Sequence, residues 1–117
     1  FTYVSDVVNA FIVASKSKKK NKVYNVGSGK TVSVKKIIEL LGGNEITYIP
    51  KRPGEPDCTF ANISKIQKDL KWRPRITIEK GIKFLLDDIK YWREAPVWTA
   101  KKIEKATEDW FKYLKNE

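Results

Sequence analysis

Only three short stretches of this chain carry a strand pattern, and helical or proline-rich segments keep them apart. Residues 22–26 (Lys-Val-Tyr-Asn-Val), Glu45 to Ile49 and Cys58 to Ala61 have the alternation or the β-branched and aromatic content of strands. The first ends at Gly27 and the second at Pro50. Helix and strand signals alternate along the first two thirds, which predicts α/β material, yet three short strands are too few for a complete sheet. The last third reads as helix throughout.

The helical segments announce themselves by caps and by apolar spacing. Ser5 is placed to cap a helix whose apolar stripe is Val7, Val8, Phe11 and Ile12, with Ser15 following. Ser33 is placed to cap a second, with Val34, Ile37, Ile38 and Leu41 on its buried face and Gly42-Gly43 at its end. A short helix is predicted from about Ser64 to Leu70. Thr77 caps a longer one with Ile78, Ile82, Leu85, Leu86, Ile89 and Trp92 on one side, broken at Pro96. Thr99 then caps a final helix with Ile103, Ala106, Trp110 and Leu114 at three- to four-residue spacing. Trp92 and Trp110 fall on apolar faces, and Trp72 and Trp98 lie beside helix breaks, so core packing is expected for at least three of the four tryptophans.

Several kinds of chemistry are excluded by what the chain lacks. It has no histidine, so no serine, threonine or cysteine can be activated by a histidine base. One cysteine, Cys58, rules out an internal disulfide framework and leaves almost nothing to hold zinc. The longest uninterrupted apolar stretch, Ala10 to Ala14, is far short of a membrane span. The chain opens on Phe-Thr-Tyr-Val without an initiator methionine or a signal peptide, which reads as a cut end and a cytoplasmic setting. Apolar residues at 41% make a folded core possible despite 32% charged residues. The net charge of +10 invites an anionic partner, but it is spread evenly: 10 Lys/Arg against 5 Asp/Glu in residues 1–60, and 14 against 9 in residues 61–117. The dense run Lys18-Lys19-Lys20 sits between a helix and a strand pattern, where a solvated loop is the expectation.

Two segments could carry binding chemistry. Gly27-Ser28-Gly29-Lys30-Thr31 resembles the end of a phosphate-binding loop, but the pattern's first glycine would fall at Tyr24, and a dinucleotide fingerprint's third glycine at Val32. A turn between strand and helix accounts for it better. Lys51-Arg52-Pro53-Gly54-Glu55-Pro56-Asp57 places two cations beside two carboxylates on a proline-stiffened loop. Arginine can hold a phosphate through two parallel hydrogen bonds, and carboxylates can accept from sugar hydroxyls. The alternative is an internally paired loop, Arg52 with Glu55 or Asp57.

Four blocks in sequence then resemble a known family. Phe-Thr-Tyr-Val-Ser-Asp-Val-Val (1–8), Tyr-Asn-Val-Gly-Ser-Gly (24–29) and Arg-Pro-Gly-Glu-Pro-Asp (52–57) look like successive signatures of the extended short-chain dehydrogenase/reductases. Ala61-Asn62-Ile63-Ser64-Lys65 followed by Leu70-Lys71-Trp72-Arg73-Pro74 resembles the next block. These are the NAD-dependent nucleotide-sugar epimerases and dehydratases, typified by UDP-glucose 4-epimerase. The resemblance covers about residues 1–90 and implies the C-terminal, substrate-binding part of such an enzyme, with residues 91–117 a helical extension. Where the family often has glycine between Leu70 and Trp72, this chain has Lys71, and where it often has aspartate after Ala61, it has Asn62.

The resemblance implies that NAD is held by an N-terminal Rossmann domain absent from these residues. The family's catalytic Tyr-x-x-x-Lys pair is absent as well, because Val7, Ser28, Arg52, Ala95 and Glu117 stand four positions after the five tyrosines. The isolated chain is therefore expected to be inactive, with no catalytic residue and no cofactor of its own. The substrate-binding residues implied are Arg52 for the nucleotide pyrophosphate and Glu55 or Asp57 for the ribose. The partners implied are a nucleoside-diphosphate sugar, the missing domain and a second copy in a homodimer. The competing readings are a small basic nucleic-acid-binding domain and a non-enzymatic interaction module. The even charge split and the absence of a nucleic-acid motif speak against the first.

Overall fold

The structure, a computed structural model, describes residues 1–43 and 45–114. It is built from six α-helices: α1 (Val4–Ser15), α2 (Val34–Leu40), α3 (Ser64–Leu70), α4 (Ile78–Asp87), α5 (Ala100–Ala106) and α6 (Glu108–Leu114), with a 3₁₀ turn over Ile89–Trp92. No strand forms among the described residues, so the three strands expected at 22–26, 45–49 and 58–61 are not observed. A strand exists only when a neighbouring backbone offers N–H and C=O groups about 4.8 Å away. Here side chains take that place along 22–26: Lys65 Nζ donates to the Val23 carbonyl at 2.8 Å. The Asn25 amide donates to the Asn62 carbonyl at 3.2 Å.

Three of the expected caps are in place. The Ser33 hydroxyl accepts from the Lys36 N–H at 3.1 Å, Thr77 from Lys80 at 3.3 Å and Thr99 from Lys102 at 3.3 Å. Ser5 is not a cap; α1 begins two residues earlier than a Ser5 cap would start it, after Tyr3, with no side-chain cap. Gly42 ends α2 in the left-handed region at φ 75°, where a Cβ would be strained. Asn62 Oδ1 accepts from the Ser64 N–H at 3.0 Å and so leads into α3. Lys71 closes α3 at φ 55°, a conformation that glycine adopts far more readily.

The last third is more broken than its periodicity suggests. The helix from Thr77 does not run through to Trp92: it stops at Asp87, where two adjacent aspartates meet the negative end of the helix dipole. The final helix divides at Thr107, whose hydroxyl donates back to the Ile103 carbonyl at 2.9 Å and competes with the backbone for it.

The core is small. Ala10, Ile63, Ile66 and Trp72 are buried, and Val13, Tyr24, Ala61 and Leu70 pack against them. Burying an isoleucine such as Ile66 contributes roughly 1.5–3 kcal/mol. The face that α1 turns inward is Asp6, Ala10 and Val13, spaced i, i+4, i+7; of the expected Val7, Val8, Phe11 and Ile12 stripe only Val7 is half-buried. Val8 is 51% and Phe11 72% exposed. The reason is Asp6, only 3% exposed, whose carboxylate is tied to backbone across the fold and so sets the rotation of the helix. Of the tryptophans only Trp72, at 2%, is core; Trp92, Trp98 and Trp110 are exposed, because the 3₁₀ turn, loop and helix that carry them do not close over it.

The described chain is open. Its accessible surface is 10359 Å², where a compact monomer of its 13.6 kDa exposes about 6,600 Å². Its radius of gyration is 17.9 Å against about 13 Å for a compact domain of this length. No helix among the described residues is long and apolar enough to cross a membrane.

Candidate functional site

Arg52, Pro53, Gly54 and Glu55 form a type II turn. The Glu55 N–H donates to the Arg52 carbonyl at 3.3 Å, proline presets the second position, and Gly54 supplies the φ of +71° that the third requires. The turn sets the side chains at its two ends next to one another. Arg52 Nε donates to Glu55 Oε2 at 3.2 Å and Nη2 to Oε1 at 2.7 Å, a side-on bidentate pair. The hydrogen bonds from Arg52 hold the Glu55 carboxyl below its ordinary range, and the same pair raises the guanidinium further.

The pair has a roof. The Trp110 ring covers the guanidinium, with Arg52 Cζ 4.9 Å from its centroid, and its indole N–H donates to the Pro53 carbonyl at 2.9 Å. Asp57 is drawn away from this cluster, paired with Lys51 on the exposed flank of the loop. Of the three residues expected to bind substrate, the structure thus brings Arg52 and Glu55 together and leaves Asp57 apart. Lysine, arginine and both carboxylates are all internally paired, as the alternative reading of the loop had it.

The glycine turn at 27–31 is a packing feature. A Cβ on Gly27 would lie 2.7 Å from the Ala61 Cβ, and one on Gly29 would lie 2.8 Å from Ile63 Cδ1. The space the glycines leave is filled by the 61–63 segment, not held open for a phosphate. Ser28 folds its hydroxyl onto Lys30, accepting from its N–H and donating to its carbonyl. These residues do not fit a dinucleotide cofactor, and among the described residues no cluster of metal-ligating side chains occurs.

A cavity of about 490 Å³ borders the same turn, lying between Phe1–Tyr3, Ser28 with Lys30–Val32, and the segment from Pro74 to Leu85. Gly81 lets α4 approach one wall, since a Cβ there would stand 3.1 Å from the Tyr3 ring. The Asp6 carboxylate fixes another: Oδ1 and Oδ2 accept from the Arg75 N–H at 3.1 and 3.0 Å, and Oδ2 from the Ile76 N–H at 3.0 Å. Arg52, Glu55 and Asp57 do not line this cavity. Sequence reasoning singled out neither Asp6 nor Trp110. Asp6 had a signal, a carboxylate in register with Ala10 and Val13; Trp110, 57 residues from its hydrogen-bond partner, had none beyond its identity.

No protein-family model matches the chain. The dTDP-D-glucose 4,6-dehydratase of Homo sapiens is 30% identical over 120 residues, covering 92% of this chain and 33% of the relative. UDP-arabinose 4-epimerase 1 of Arabidopsis thaliana is 40% identical over 81 residues, 63% of this chain and 19% of the relative. The structure of UDP-glucuronic acid 4-epimerase from Bacillus cereus, in complex with UDP-glucuronic acid and NAD, superposes with a TM-score of 0.69. That match is 30% identical and covers 78% of this chain and 31% of the other. The chain belongs to the nucleotide-sugar epimerase and dehydratase family. It spans only about a fifth to a third of the length of these relatives. For an epimerase/dehydratase chain the local departures are conservative in shape. Lys71 adopts the left-handed turn that glycine would make, and Asn62 leads into α3 as an aspartate could.

Proposed function

We propose that this chain is the C-terminal part of an NAD-dependent nucleotide-sugar epimerase or dehydratase and that it holds the nucleoside diphosphate of the substrate. Arg52 takes the diphosphate, and Glu55 takes a ribose hydroxyl on the lone pairs that Arg52 leaves free; Asp57 is the other candidate for the hydroxyl. The observation that carries this reading is the geometry of the turn. A guanidinium has five N–H donors, and Glu55 uses one on Nε and one on Nη2. The fork formed by Nη1 and the second Nη2 hydrogen stays open, so a phosphate can bind end-on without displacing the carboxylate. The arginine side chain is 31% exposed, enough to be reached.

The solved UDP-glucuronic acid 4-epimerase holds NAD, and the glycine turn at 27–31, filled by Ala61 and Ile63, does not fit it, which supports assigning the oxidation and reduction of the sugar to another part of the protein. This chain's contribution is position: a held nucleotide presents its sugar at one distance and angle to the reacting groups. Alone it is inactive, and a homodimer is the expected assembly of the whole enzyme.

The test is a titration with UDP, dTDP, CDP and GDP, followed by two-dimensional NMR and calorimetry, on the chain and on Arg52→Ala. Shifts centred on residues 51–57 and a loss of at least about tenfold in affinity in the variant are expected. Equal binding by both proteins would overturn the assignment. So would indifference to every nucleotide together with salt-sensitive binding of a DNA oligomer.

A further inference from the structure

Two constraints act on the Arg52 guanidinium, one from three residues on and one from far along the chain. Glu55, three residues on, fixes its rotation within its own plane through two hydrogen bonds. On its face the guanidinium meets the Trp110 ring, with the centroid 4.9 Å from Arg52 Cζ. The ring is not free to swing, because its N–H is bonded at 2.9 Å to the Pro53 carbonyl, a central carbonyl that the turn's own hydrogen bond leaves free. An unrestrained arginine loses rotamer freedom when it captures an anion, and that loss weakens binding. An arginine already held on its edge and on its face has little left to lose.

We infer that Trp110 is a positioning residue for the anion site, stacking on Arg52 and bolting it to the turn so that its open fork faces a diphosphate. The inference rests on the reading of Arg52 as the diphosphate contact. It gives a role in substrate affinity to α6, a part of the chain in which the sequence showed no functional signal. The indole also covers one face of the guanidinium, which keeps water off it and strengthens the charge–charge contact on the edge.

The experiment uses the full chain with two probes, UDP and inorganic pyrophosphate. Affinities are measured for wild type, Arg52→Ala, Trp110→Ala and Trp110→Phe. Trp110→Ala is expected to weaken both probes equally, by about three- to tenfold, the range a cation–ring contact supports. Trp110→Phe keeps an aromatic face while losing the N–H, and should restore most of the affinity. The Arg52 Nε–H resonance should show the ring-current shift in wild type, keep part of it in Trp110→Phe and lose it in Trp110→Ala. If the alanine variant proves unstable, the phenylalanine variant and this resonance decide the matter by themselves. A loss for UDP but not for pyrophosphate would show that the ring meets the nucleobase, and would overturn the inference. So would unchanged affinity in Trp110→Ala alongside a loss in Arg52→Ala, which leaves the nucleotide reading standing. Unchanged affinity in Arg52→Ala removes both.

Discussion

Removing the Asp6 carboxylate should cost this chain more stability than any other single change to a charged residue. Its two oxygens serve two backbone donors, the Arg75 and Ile76 N–H groups, through three contacts of 3.0–3.1 Å. In Asp6→Ala both donors lose a partner whose own residue is only 3% exposed. Each unsatisfied buried donor costs about 1–3 kcal/mol, so the expected loss is about 2–6 kcal/mol, a large part of a typical domain's stability. Asp6→Asn keeps one acceptor oxygen but turns an NH₂ group toward a donor, and should cost about half as much. Urea denaturation gives the magnitude, and hydrogen exchange gives the location. The Arg75 and Ile76 amides should lose protection before the rest of the chain, because the anchor between α1 and the 74–76 segment is gone. Asp87→Ala is the control: its partner Lys83 is exposed, and the change should fall within about 0.5 kcal/mol. If Asp6→Ala is as mild as that control and the two amides exchange as before, the carboxylate is not what orients α1.

Other changes can be predicted from single contacts. Trp72→Ala should cost about 3–5 kcal/mol by the cavity it leaves, whereas Trp72→Phe should cost far less than its lost volume suggests, because the buried indole N–H has no partner to lose; thermal unfolding of both compares them. Lys71→Gly should stabilise the chain by about 0.5–1 kcal/mol by removing a Cβ from the left-handed region, read as a rise in the denaturation midpoint. Glu55 has a folded pKa below its ordinary 4.5, so its pairing with Arg52 persists as pH falls to that value and is lost only as pH drops further through the folded pKa. A carboxyl NMR titration should show this, with the Glu55 value returning upward in Arg52→Ala.

What could be read from the sequence is what depends on neighbours along the chain. Ser33, Thr77 and Thr99 cap their helices by reaching an N–H three residues ahead, so residue type and spacing are enough. The Arg-Pro-Gly-Glu turn is equally local, and the pairing of Arg52 with Glu55 follows from it. The strands could not be read because a strand is a relation between segments, and 22–26 meets side chains where a ladder was expected. The rotation of α1 was misjudged because apolar spacing describes the helix alone. The contact that decides it lies 69–70 residues away. The tryptophans failed for a related reason: an apolar face is buried only if something covers it. Trp92 and Trp98 remain exposed among the described residues, and Trp110 is partly occupied by Arg52.

The open surface of the chain has a calorimetric consequence. Set against the area of an extended chain, an accessible surface of 10359 Å² means that folding hides roughly 30% less than is usual at this mass. The heat capacity of unfolding and the denaturant slope both scale with hidden area. For these 117 residues the heat-capacity step should be about 1.1 kcal/mol/K in place of about 1.6. A small step flattens the dome of stability against temperature, so the chain should melt over a wide interval while its free energy of unfolding changes little between cold and warm conditions. Anything that covered Val8 and Phe11 on α1 would steepen that curve before it altered a single contact inside the fold.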